Sequence, residues 1–294
     1  MKKAYINLLF IAIYGFSSNL FAAKEVIHCS HSEICSLASK ILNESLVELK
    51  SEVVIVGDPH DFVPKSDSIK KLMDAKILLS GPNALNPWMK KINDQRNKSA
   101  EKKTLFLSID SKFRSIYPQA SGEALAHFWL YPSIYCSQLS QLYKELEKNN
   151  LKLLLKSNPL SLEKCAEQAA LLDKEFAEAL LKLKYPIILT HDALYAYILK
   201  VNPDPFKVLA IKGSGHHEEA SPQSIKKLYQ MLKNQKVVWL EEKGIHVPEN
   251  VMNKKRKDDI VIFLDTAKSM NKANDQMVSQ TLKDFITKLN EIKP

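Results

Sequence analysis

The sequence predicts an α/β protein of two lobes, each with a four-stranded, mainly parallel sheet flanked by helices, joined by one long helix. Three observations predict this. From residue 24 onward, short apolar runs of strand length alternate with longer segments of helical period. The second half of the chain repeats that plan. Between the halves lies one amphipathic stretch, 161–184, long enough to run along both.

Glu25-Val26-Ile27-His28-Cys29 is a first strand. Residues 32–49 read as a helix with Ile34, Leu37, Ala38, Ile41, Leu42 and Leu46 on one face. Val53-Val54-Ile55-Val56, four β-branched residues in succession, read as a buried strand. It runs into Gly57-Asp58-Pro59-His60-Asp61-Phe62-Val63-Pro64, a turn that holds a histidine between two prolines. Ser66 then caps a helix carrying Ile69, Leu72 and Met73. Ile77-Leu78-Leu79 is the third strand, closed by Gly81-Pro82-Asn83. Trp88 and Met89 open another helix, and Thr104-Leu105-Phe106-Leu107 makes the fourth strand. Residues 110–126 have no clear period and read as a loop, and a helix over 133–149 closes the first half.

Ser161 is a suitable N-cap for the long helix. Its apolar residues Leu162, Cys165, Ala169, Leu172, Phe176, Leu180 and Leu183 recur in steps of three or four. With a rise of ~1.5 Å per residue it spans on the order of 35 Å. Strands at 185–190, 206–211, 236–240 and 260–264 follow, with helices near 193–200, 222–234, 248–256 and 275–291. The expected organisation is a signal peptide over 1–23, an N-terminal lobe over 24–150, the linking helix over 151–184 and a C-terminal lobe over 185–294.

The N-terminus has the three-part layout of a secretory signal: Lys2 and Lys3, an apolar run over 4–16, then Ser17-Ser18-Asn19 before Ala22-Ala23. The apolar run is shorter than the ~20 residues that span a bilayer. No cysteine ends it, so no lipid attachment is signalled. Export makes disulfides permissible for Cys29, Cys35, Cys136 and Cys165. Of the three pairings, Cys29–Cys35 with Cys136–Cys165 closes the shortest loops; four buried free thiols are the alternative. The absence of CxxC spacing argues against a thiol-redox site or a zinc ribbon.

The net charge of +9 falls to +7 once Lys2 and Lys3 leave with the signal. The lysines are dispersed among glutamates, as in Glu145-Leu146-Glu147-Lys148, and the run Lys254-Lys255-Arg256-Lys257 is answered by Asp258-Asp259. Nucleic-acid binding needs basic residues gathered on one face with aromatic platforms, so no nucleic-acid partner is expected. Only 7 glycines leave little room for glycine-rich nucleotide loops.

Open parallel sheets bind ligands beyond the carboxyl ends of their strands. Four metal-ligand types occupy such places: His60 after the second strand, His127 in the loop after the fourth, His191 after the fifth and Asp265 after the eighth. Three imidazoles and a carboxylate suit tetrahedral Zn²⁺ and also accept Mn²⁺ or Fe²⁺. His31, just after the first strand, is either a support for these or a spare ligand. His28 reads as a core residue of its strand, and His216, His217 and His246 as solvent-loop residues. Enzyme signatures are missing: there is no HExxH helix, GxSxG elbow or GxxxxGK[ST] loop. A zinc hydrolase would need an open coordination position and a base, for which Asp61, Asp192 and Glu242 are the candidates. Asp265 in the fourth position closes the site and suits holding a metal.

Taken in order, these motifs resemble the periplasmic solute-binding proteins of ABC-type zinc and manganese importers. Gly57-Asp58-Pro59-His60-Asp61-Phe62 is similar to that family's first ligand motif. Ala126-His127-Phe128-Trp129-Leu130-Tyr131-Pro132 resembles its PHxWLDP segment, and Thr190-His191-Asp192-Ala193-Leu194-Tyr195 its HDAxxY segment. Glu219-Ala220-Ser221-Pro222 resembles its EPSP helix start, and Leu264-Asp265-Thr266 its terminal acidic loop. The resemblance implies a non-enzymatic, monomeric, periplasmic protein with a rigid linking helix. Its metal would sit in the interlobe cleft on His60, His127, His191 and Asp265 and pass to an ABC-type membrane permease. Histidine in third place looks more like the zinc members than the manganese members. Three features depart from the pattern: residues 61–126 lack the histidine-rich loop of many zinc members, Ala126 and Tyr131 replace Pro and Asp, and Ala267-Lys268 replace Leu-Gly after Asp265. The alternatives are a zinc hydrolase using the same histidines, a metal-binding surface adhesin, and a binder of a metal complex such as haem.

Overall fold

The computed structural model describes residues 23–51, 63–83, 87–118, 125–157, 161–190, 194–201, 207–211, 221–242, 249–264 and 280–292. The signal segment and the strand expected at 53–56 lie outside the described residues. Two four-stranded sheets are present, and every pairing in them is parallel. The first runs β2-β1-β3-β4, from β1 (Glu25–Cys29), β2 (Val47–Ser51), β3 (Ile77–Ser80) and β4 (Lys103–Phe106). The second runs β6-β5-β7-β8, from β5 (Ile187–Leu189), β6 (Val208–Ala210), β7 (Val238–Glu242) and β8 (Ile260–Leu264). Central β3 and β5 are buried at every position, as strands covered on both faces must be.

The helices are α1 (Ser32–Ser39), α2 (Ser66–Asp74), α3 (Met89–Arg96), α4 (Lys112–Ile116), α5 (Pro132–Lys148), α6 (Leu162–Lys182), α7 (Tyr195–Val201), α8 (Pro222–Asn234), α9 (Glu249–Met252) and α10 (Gln280–Glu291). Ser161 caps the long helix α6 as expected, its hydroxyl accepting the Lys164 N–H at 3.1 Å. Ser66 does not cap α2; it is the first helical residue, and the N-cap is Lys65. Part of the loop expected over 110–126 is the short helix α4.

The helix expected over 32–49 is corrected most. It ends at Ser39, and the residues from Val47 onward form β2. A distant segment breaks the helix: Asn43 N–H donates to the Leu154 carbonyl at 2.8 Å, and Lys156 N–H to the Ile41 carbonyl at 2.8 Å. The Asn43 side chain then turns the chain by accepting the Ser45 N–H at 3.0 Å. Val47 to Ser51 pair residue for residue with Glu25 to Cys29.

One apolar core runs through both sheets. The α6 helix joins them, packing on α5, α7 and α10. An aromatic column crosses the junction. Tyr117 meets Tyr131 edge-on at 4.9 Å, Tyr131 meets Tyr197 at 5.9 Å, Tyr197 stacks on Phe176 at 5.1 Å, and Phe176 meets Phe285 at 5.3 Å. Asp173 on α6 accepts the Tyr197 hydroxyl at 2.5 Å and Lys200 Nζ at 2.7 Å, which ties α7 to the long helix.

Both short-loop disulfides are present, Cys29–Cys35 and Cys136–Cys165. The second staples α5 to α6. By loop-closure entropy, replacing Cys136 and Cys165 with alanine should cost about 3.5 kcal/mol, against about 2 kcal/mol for the shorter Cys29–Cys35 loop. Urea unfolding of the two double variants measures the difference.

Asp259, at the entrance to β8, has a fully buried carboxylate. It accepts N–H groups from Val237 at 3.2 Å, Trp239 Nε1 at 3.1 Å and Arg256 at 3.0 Å. Burial alone would push this carboxyl up, but the donors outweigh it and hold it below its ordinary 3.8. Its contribution is therefore complete above that ordinary value and is lost as pH falls through the lower folded value. Asp259→Asn should cost about 1–3 kcal/mol at neutral pH. The gap from wild type in urea midpoint should be clear at pH 7 and narrow at pH 3.

Candidate metal centre

Of the four residues expected to bind metal, His127 is described, whereas His60, His191 and Asp265 lie outside the described residues. The same holds for Asp61, Asp192, His216, His217 and His246. Among the described residues no group of three or more His, Cys, Asp or Glu side chains gathers to hold an ion. The strands that lead to the outlying ligands are in place. β5 ends at Leu189, two residues before His191, and β8 ends at Leu264, directly before Asp265. Both are carboxyl ends of parallel strands in one sheet. β2 ends at Ser51, well before His60.

His127 is 3% exposed. Its carbonyl accepts the Leu130 N–H at 2.9 Å, which closes a 3₁₀ turn over Phe128–Leu130. Phe128, Leu130 and Tyr131 are fully buried, so the turn is anchored in the core. Pro132 then opens α5, where a missing N–H costs nothing. The Trp129 ring meets the His127 imidazole edge-on at 5.3 Å and fixes its plane. Trp129 Nε1 is buried without a hydrogen-bond partner.

The His31 ring lies 6.2 Å from that of Trp129. His31 is fully buried and follows β1. Its Nδ1 is 2.8 Å from Glu33 Oε2, which also accepts the Ser32 hydroxyl at 2.9 Å. Burial raises the Glu33 carboxyl, but the bond to His31 and the other donors outweigh it and hold the group below its ordinary 4.5. Gly81, just after β3, gives this ring its room: a Cβ there would stand 2.7 Å from His31 Nε2 and 3.0 Å from Ile34 Cδ1. Ser30 Oγ accepts the Gly81 N–H at 3.1 Å and holds the two strand ends together.

The sequence leaves the role of His31 open and does not point to Glu33 as its partner. The signal that marks His31 is the Ser-His step after β1, matched by Thr190-His191 after β5. His28 is on β1 as expected, registered with Lys50 and Leu78, but it is only half-buried and does not belong to the core.

Comparison with known proteins bears on the family and the fold. The family model described as zinc-uptake complex component A, periplasmic, matches residues 27–290. The metal ABC transporter substrate-binding lipoprotein SsaB of Streptococcus sanguinis is 24% identical over 257 residues, 81% of this chain and 80% of its own. The manganese ABC transporter substrate-binding lipoprotein PsaA of Streptococcus pneumoniae is 25% identical over 258 residues, with the same shares. The crystal structure of the Streptococcus pneumoniae AdcAII protein superposes with a TM-score of 0.66 at 17% identity, over 92% of this chain and 99% of that one. The first two of these relatives are named as substrate-binding lipoproteins of metal ABC transporters, and a substrate-binding role is not an enzymatic one. The chain belongs to the zinc-uptake component A family of metal-binding proteins that serve ABC transporters.

Proposed function

We propose that the mature chain captures Zn²⁺, with Mn²⁺ the next candidate, on His60, His127, His191 and Asp265. The cleft lies between an N-terminal lobe over 24–150 and a C-terminal lobe over 185–294, with 151–184 linking them. The protein works in the periplasm as a monomer and passes the ion to an ABC-type permease. The observation that supports this reading is that β5 ends two residues before His191 in the chain and β8 ends directly before Asp265, both in one parallel sheet, while His127 is held by a buried turn beside a tryptophan. Three imidazoles with one carboxylate form a borderline-soft donor set that suits zinc, whereas manganese favours more oxygen. Cys29, the first cysteine, is tied to Cys35, which supports a protein without a lipid on that residue.

Calorimetry of the mature protein against Zn²⁺ and Mn²⁺, with elemental analysis of metal retained from a native source, tests the reading. One tightly bound Zn²⁺ per chain, with weaker Mn²⁺, is the expected result. Tight binding of neither ion would end it.

A further inference from the structure

The two sheets share one strand order, and the points at which it reverses are equivalent. β1 lies between β2 and β3 just as β5 lies between β6 and β7. Open parallel sheets take ligands beyond the carboxyl ends at this reversal. Two residues past β5 comes His191, and two residues past β1 comes His31. The backbone around them matches. Ser30 N–H donates to Leu79 of β3 at 2.9 Å, and Thr190 N–H donates to Leu240 of β7 at 3.0 Å. Cys29 is the register partner of Leu79, as Leu189 is of Leu240.

His31 also carries the support that a metal-binding imidazole needs. Nδ1 is held by the Glu33 carboxylate, which fixes the ring plane and leaves Nε2 as the nitrogen that could meet a cation. Nε2 is buried and has no hydrogen-bond partner, next to Gly81, and the His31 ring neighbours the same Trp129 that His127 meets. A buried ring nitrogen with no partner costs stability, and a bound cation would remove that cost.

We propose that His31 is a further ligand of the transported divalent cation, the N-terminal lobe's counterpart of His191. It binds through Nε2, with Glu33 as its orienting acceptor. This rests on the capture reading above. The site then holds more imidazole than the four expected residues supply, and His31 can take the place of Asp265 or of a water.

The test uses ¹⁵N-labelled mature protein loaded with ¹¹³Cd²⁺, a spin-active stand-in for zinc. Direct ¹¹³Cd–¹⁵N splitting at His31 Nε2 is expected, and it needs no variant. His31→Gln should lose more than about 100-fold in Zn²⁺ affinity, and Glu33→Gln about 10–100-fold. Cadmium splitting at other imidazoles with none at His31 would overturn the ligand assignment and leave the capture reading intact. Binding of neither cadmium nor zinc would overturn the capture reading, and this ligand with it.

Discussion

Replacing His191 with alanine is expected to weaken Zn²⁺ binding by more than about 100-fold, because loss of a group that merely orients a ligand already costs 10–100-fold. A metal that binds only the folded state stabilises it by mass action. At a concentration of about 1,000 times its Kd, zinc adds roughly 4 kcal/mol to the wild type. At the same concentration, a variant binding 100-fold more weakly gains only about 1.4 kcal/mol. For a chain of this size each kcal/mol moves the melting temperature by about 2–4 °C. Zinc should therefore raise the wild-type melting temperature by about 10 °C and that of His191→Ala by less than half as much. His60→Ala should behave alike, whereas His246→Ala, in a loop expected to face solvent, should keep the full shift. Calorimetry and thermal melts with and without a chelator measure both quantities. Equal zinc shifts in wild type and His191→Ala would remove His191 from the ligand set.

Arg96→Ala is expected to cost about 3–5 kcal/mol of stability and to leave zinc affinity unchanged. Arg96 is 1% exposed and carries its charge under the first lobe. Its Nη1 donates to the carbonyls of Leu72 at 2.9 Å, Met73 at 3.0 Å and Ala75 at 2.7 Å, at the carboxyl end of α2. Its Nη2 donates to the Lys103 carbonyl at 2.9 Å, and Nε to Thr104 Oγ1 at 3.1 Å, both on β4. One planar fork thus ends a helix and binds it to an edge strand. A cation at the negative end of the helix dipole is favourable there. Burial pulls the guanidinium's proton affinity down and Asp74 opposes it. Alanine would strand buried carbonyls, each costing about 1–3 kcal/mol. Lysine keeps the charge but lacks the fork, so Arg96→Lys should recover only part of the loss. Urea unfolding gives the stabilities, and a zinc titration of the folded variant should match wild type. A loss below 1 kcal/mol for Arg96→Ala would show that water replaces the guanidinium at no cost.

Arg96 reads in the sequence as one more polar residue of an amphipathic helix, and nothing local marks it as buried. The carbonyls it serves come from α2 and β4, so its role exists only once those elements have docked. The failed helix boundary at Ser39 has the same origin. Ile41, Leu42 and Leu46 continue the 3.6-residue spacing of Ile34 and Leu37, so periodicity alone extends the helix to Leu49. The contacts that stop it come from residues 154–156, more than a hundred positions away along the chain.

Where one element carries its own pattern, sequence and fold agree. The α6 helix shows its capping serine and apolar stripe, β5 and the first three residues of β3 are runs of buried aliphatics, and α8 begins at Ser221-Pro222. The two-lobe α/β plan follows from these, since strands that alternate with helices leave parallel pairing as the natural outcome. The motif around His127 was likewise legible, because its aromatic and proline neighbours are contiguous.

Local periodicity and turn chemistry thus determined the elements, the fold class and the residue types suited to a metal. The strand order, the Asp173 latch and the meeting of His31 with Glu33, Gly81 and Trp129 were decided by tertiary packing. Apart from the local His31–Glu33 bond, each of those depends on groups far apart in the chain, and a one-dimensional pattern does not encode which buried polar atoms will face one another.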